Sequence, residues 1–194
     1  MSILLEACVG CYEEAKRAEI QGADRIELCD NLGEGGTTPS YGTIHLAKKN
    51  INIPIAVIIR PRGGDFVYSN DEFEIMKKDI KLCKEIGVET VVFGILNKDN
   101  TIDIERTREL VELSNGLKIT FHMAFDEIDD KMEALEQLIS MGINRVLTKG
   151  SKTCAEDGKN VLKELVEKSS ERITILVGGG VTYKNYKDLA KDIK

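Results

Sequence analysis

Apolar positions along this chain follow two alternating patterns. Short, largely apolar runs occur at Ile3–Cys8, Arg25–Cys29, Ile55–Ile59, Thr90–Phe93, Lys118–Phe121, Arg145–Thr148 and Ile173–Val177. Their length and β-branched content predict buried strands. Stretches with helical spacing lie between them. The clearest is Asp71–Ile86, with Phe73, Met76, Ile80 and Cys83 on one face. Ser69-Asn70-Asp71-Glu72 reads as its capping box, and Thr153-Cys154-Ala155-Glu156 predicts a later helix start of the same kind. A helix over Asp130–Ser140 turns Met132, Leu135, Leu138 and Ile139 inward, and a last one over Thr182–Ile193 uses Tyr186, Leu189, Ala190 and Ile193.

A strand followed by a helix, seven times over, implies parallel strands, because each parallel pair needs a crossover and the crossover helix covers the sheet. An open doubly wound sheet and a barrel both satisfy this. Glu6 and Cys8 share one side of their strand, as do Glu27 and Cys29, and Ile58 and Arg60. An inward face that turns polar toward the strand's C-terminal end is what a barrel mouth requires. The expected fold is therefore α/β, a parallel (β/α) TIM-type barrel, as one domain over residues 1–194. Seven strand–helix units are visible and no eighth strand is predicted, so either the barrel is open or another segment or chain fills the gap, and a homodimer or a truncated chain is expected. No GxGxxG follows the first strand, which argues against dinucleotide binding.

Charge and composition narrow the classes of function. The net charge is −6, with no basic run, so nucleic acid is not an expected partner. No apolar stretch reaches membrane-span length. The start, MSILLEACVG, lacks the basic region and cleavage site of a signal peptide. Five cysteines, an odd number, with no export signal, point to reduced thiols and a cytoplasmic location.

The stretch Ile58–Phe66, IIRPRGGDF, delivers Arg60 and Arg62 at the end of an apolar strand. Glu6, Glu27, Arg60 and His122 each stand at or near a strand end, and buried charges there are costly unless paired or used. An arginine between two glutamates would hold them ionised. Glu6, Glu27 and His122 then read as proton-moving groups, with Asp126 orienting the histidine or capping the next helix. Gly178-Gly179-Gly180 after the seventh strand suggests a backbone cradle for phosphate, with Lys149 adding a cation. Arg60, Arg62, Asp126, Lys149 and the glycines thus make a candidate site for a small anionic metabolite. That is the chemistry of an isomerase, epimerase or lyase. Gly33–Gly36 reads as a lid.

The segments GADRIELC (Gly22–Cys29), EGGTTPSYG (Glu34–Gly42), IRPRGGDFVYS (Ile59–Ser69), TFHMAFD (Thr120–Asp126), RVLTKG (Arg145–Gly150) and GGG (Gly178–Gly180) resemble the CutC family of copper homeostasis proteins. The resemblance runs in order from Leu5 to about Gly180. It implies a TIM-type barrel, a cytoplasmic location, frequent dimerisation and a role in copper tolerance. It also places the family's proposed copper cysteines at Cys8 and Cys29. The chain departs from the family pattern at Met123, Lys149, Val177 and Cys8-Val9-Gly10-Cys11, and lacks the family's eighth-strand segment with its histidine. Cys8 and Cys29 close neighbouring strands about 4.8 Å apart. Both then reach one soft ion, and Cu(I) favours thiolates. Cys11 completes a CxxC at a strand-to-helix turn, as a third ligand or a redox partner. Cys83 reads as core, Cys154 as incidental and His45 as a surface helix residue.

Overall fold

The computed structural model describes residues 3–193. The chain forms two compact units, Met1–Phe93 with Glu112–Lys118, and Gly94–Val111 with Ile119–Lys194. Parallel strands alternate with helices in both.

In the first unit β1 (Glu6–Val9), β2 (Arg25–Leu28), β3 (Ile55–Ile58) and β4 (Thr90–Phe93) lie side by side in chain order. Every pairing is parallel. They are joined by α1 (Tyr12–Ile20), α2 (Tyr41–Asn50) and α3 (Asn70–Ile86). All residues of β2, β3 and β4 are buried, as expected of parallel strands covered on both faces. The helix α3 forms because Phe73, Met76, Ile80 and Cys83 recur on one face, and all four are buried. Ser69 accepts from the Glu72 amide while the Glu72 carboxylate accepts from the Ser69 amide, so the expected capping box is present.

The register of β1 against β2 positions the site. Glu6 stands beside Arg25 and Cys8 beside Glu27, an offset of nineteen residues. Glu27 stands beside Ala56, and Ala56 beside Thr90. With side chains alternating along each strand, Glu6, Cys8, Arg25, Glu27 and Cys29 share one face.

The second unit holds β5 (Lys118–Phe121, from Ile119 on), β6 (Arg145–Thr148) and β7 (Thr174–Val177), again adjacent in chain order, with β6 parallel to both neighbours. Its helices are most of α4 (Ile104–Leu113), α5 (Lys131–Ser140), α6 (Lys159–Ser169) and α7 (Tyr186–Asp192). In α5, Ala134, Leu135 and Leu138 are buried, Met132 and Ile139 only partly. Leu162, Leu189 and Ile193 pack with Ala155 against Ile175 and Val177 of β7.

Two sequence-based expectations are corrected. The first strand begins at Glu6 rather than Ile3, and Ile3, Leu4 and Leu5 are exposed. Thr153-Cys154-Ala155-Glu156 does not open a helix. The Thr153 hydroxyl donates to Asp157 (2.5 Å), and α6 starts only at Lys159, after Gly158.

Candidate metal centre

At the top of β1 and β2 the sulfurs of Cys8 and Cys29 lie 3.8 Å apart. Ligand atoms of Cys8, Glu27 and Cys29 fall within 4.8 Å of one another, the one such grouping of cysteine, histidine and carboxylate among the described residues. The register produces this cluster, since Cys8 is the cross-strand neighbour of Glu27 and Cys29 follows two residues on. Cys8 is exposed, whereas Cys29 is 2% exposed. Glu27 is buried.

The protonation of the cluster follows from these contacts. Hydrogen bonding from Cys29 holds the Cys8 thiol down to about 7, against the opposing effect of burial. The same bond, then burial, pushes Cys29 up. Burial, then the charge of Cys8, raises Glu27 well above the usual carboxylate range. The shared hydrogen bond thus favours ionisation at Cys8 over Cys29, and burial favours the neutral form of Glu27.

Cys11 is not part of the cluster. It is the exposed N-cap residue of α1. Cys83 is buried in the core as expected, and burial pushes its thiol up to about 12. Cys154 is half-buried in a turn, where its thiol donates to Asp157.

Arg60 does not hold the two glutamates ionised. Its Nη1 donates to the carbonyls of Glu34 and Gly36 and its Nη2 to that of Gly64, at 2.7–2.8 Å. Its backbone amide donates to the Thr38 hydroxyl, and its carbonyl accepts from the Thr38 amide. The guanidinium lies over the Phe66 ring. Gly33–Gly36 is therefore a pinned loop and not a free lid. Gly36 has φ +89°, and a methyl group there would stand 3.3 Å from the Cys29 sulfur. Arg60 holds this backbone against the buried thiol. Arg62 ties its own loop to α3, through Glu72 (2.6 Å), Asp65 (3.0 Å) and the carbonyls of Gly63, Asp65 and Val67.

Glu6 opens β1, so it lies at the opposite end of the strand from the rim. Its carboxylate accepts from Arg25 in a buried ion pair. The apolar run from Ile3 hides this pair, since the strand itself opens only at Glu6. In the second unit His122 is buried, and its Nδ1 accepts from the Ala124 amide at 3.2 Å. This contact fixes the tautomer with the proton on Nε2. Asp126 does not cap α5, a role taken by Asp130. Its carboxylate accepts from the Thr148 hydroxyl (2.5 Å) and the Lys149 amide (3.0 Å), while burial raises it above its usual range.

Gly178–Gly180 does not run directly into a helix, since α7 begins at Tyr186. The Gly178 amide donates to Thr148, and the Gly179 carbonyl accepts from Ala155. Added methyl groups would meet Leu147 at Gly178 and the Lys149 stem at Gly179. The Lys149 ammonium donates to the Lys152 carbonyl. The close approach that these glycines allow is to the chain's own side chains.

The sequence profile described as the CutC family matches residues 3–193. The chain is 48% identical to the human copper homeostasis protein cutC homolog over 182 residues, 94% of this chain and 67% of that protein. It is 47% identical to a CutC family protein of Vibrio vulnificus over 192 residues, covering 98% and 77%. The crystal structure of a copper homeostasis protein CutC from Streptococcus agalactiae superposes with a TM-score of 0.95 at 40% identity, over 99% of this chain and 95% of that one. Deoxyribose phosphate aldolase from Aeropyrum pernix shares the barrel fold, at a TM-score of 0.74 and 12% identity over 98% and 82%. The fold is the parallel TIM-barrel type expected from the sequence. No helix among the described residues is long and apolar enough to cross a membrane.

Proposed function

The chain belongs to the CutC family, and from that premise we propose that it serves copper homeostasis by binding Cu(I) through the thiolates of Cys8 and Cys29. The observation that carries the reading is the pair of sulfurs 3.8 Å apart beside a buried acid. Thiolates are soft ligands and favour Cu(I). Glu27 sharpens the preference. Burial favours its neutral form, which weakens it as a hard anionic donor. Two thiolates already give a Cu(I) site one net negative charge, and a further buried carboxylate charge would cost several kcal/mol. Such thiols have to stay reduced, which fits a cytoplasmic location.

Two contacts favour this reading over proton transfer on a small anionic metabolite. Glu6 is paired with Arg25, and Arg60 is bonded to loop carbonyls.

A Cu(I) titration against a competing chelator tests the proposal. The chain takes up Cu(I), the Cys8→Ser, Cys29→Ser double variant takes up none, and Cys11→Ser binds as the parent does. Unchanged binding in the double variant removes the proposal.

A further inference from the structure

We infer that Cys8 and Cys29 also form a reversible intramolecular disulfide, with Cys8 the point of attack and Cys29 the resolving thiol. Three features of the first unit carry this. The sulfurs are already in van der Waals contact at 3.8 Å, and a disulfide closes that gap to about 2 Å. The two thiols differ in access, Cys8 being exposed and Cys29 buried. The Gly36 backbone covers the Cys29 sulfur and is pinned there by Arg60. An oxidant from solvent therefore meets Cys8 first, and the oxidised Cys8 sulfur meets Cys29.

The oxidant class is a small hydroperoxide. The Cys8 sulfur attacks the outer peroxide oxygen. The O–O bond breaks, an S–O bond forms, and the alcohol or water leaves with the Cys8 proton. The resulting sulfenic acid condenses with Cys29. There the S–O bond breaks, the S–S bond forms, and water leaves with the Cys29 proton. In sum, two thiols and one hydroperoxide give a disulfide, an alcohol (or water) and water, a two-electron oxidation of sulfur. The covalent step rests on this geometry alone. Its consequence, loss of the copper site while the bond persists, rests on the proposed function.

The test treats the reduced chain with hydrogen peroxide, counts thiols under denaturing conditions and maps linked peptides by mass spectrometry. The same is done on Cys11→Ser, a change that puts a favoured N-cap residue at the head of α1. The expected result is a loss of two thiols, from five in the parent and from four in Cys11→Ser, a Cys8–Cys29 link in both chains, and full recovery with a thiol reductant. Three results overturn the inference: retention of all five thiols, an unlinked Cys8 driven to sulfinic acid, or a link from Cys8 to Cys11 or Cys154. Cu(I) titration of the oxidised and re-reduced chains separates the two claims. A chain that links but never binds Cu(I) removes the proposed function and leaves the disulfide standing. A chain that binds Cu(I) but never links does the reverse.

Discussion

The ends of the first two strands and the loops that follow β5, β6 and β7 are both crowded with polar side chains, yet they are organised oppositely. In the second unit Asp126 accepts from Thr148 and Lys149, the Lys149 ammonium donates to a carbonyl, and the glycine triplet is filled by Leu147 and the Lys149 stem. In the first, Cys8 and Cys29 have chiefly each other, with a buried acid alongside. A polar rim is therefore not in itself a site. The difference lies in whether its groups are already committed to neighbours within the chain.

Several substitutions test that contrast. The largest effect belongs to the thiols. Removing both abolishes Cu(I) uptake, whereas Lys149→Ala leaves it unchanged, as read by chelator competition. Asp126→Ala strands the buried Thr148 hydroxyl and the Lys149 amide, and costs about 1–3 kcal/mol in denaturant melts with Cu(I) binding intact. Gly178→Ala puts a methyl 2.6 Å from Leu147. It costs about 1–3 kcal/mol, again without effect on copper.

Arg60→Lys cannot reproduce the fork on three carbonyls. Alkylation of Cys29 should rise about tenfold, which corresponds to ~1.4 kcal/mol of local protection lost. Cys83, buried in the core of the same unit, stays protected, so general unfolding is distinguished.

A last test concerns pH. Glu27 is held above its unfolded value, so the native state binds the extra proton between the two values. Its contribution is full below the ordinary glutamate range, about 4.3. It is lost as pH rises from there toward the folded-state value. Glu27→Gln flattens that slope in melts of the metal-free chain.

Much of the fold was legible because local signals agreed. Continuous apolar runs set the strands, and Ser69 with Glu72 capped α3 as expected. Thr153 and Glu156 have the same spacing, but there the helix starts at Lys159, because the threonine hydroxyl turns to Asp157. A motif states which bonds are available and not which ones the tertiary structure selects.

The thiol pair was legible for a related reason. Cys8 and Cys29 stand near the ends of strands that had to be neighbours, although the register sets Cys8 beside Glu27, two residues before Cys29. The placement of Glu6 was not legible, since it depended on where β1 starts. Nor was the role of Arg60, whose partners are backbone carbonyls of two loops that no side-chain pattern announces. The loop at Gly36 was recognised as glycine-rich, but its seat on the Cys29 sulfur is a property of packing.

X-ray absorption at the copper edge of the Cu(I)-loaded chain tests the central assignment most directly. The account predicts a shell of two sulfurs with no nitrogen or oxygen neighbour, unchanged in Cys11→Ser and lost in Cys8→Ser, Cys29→Ser. A shell of nitrogen or oxygen ligands, or a two-sulfur shell that survives the double substitution, would contradict it.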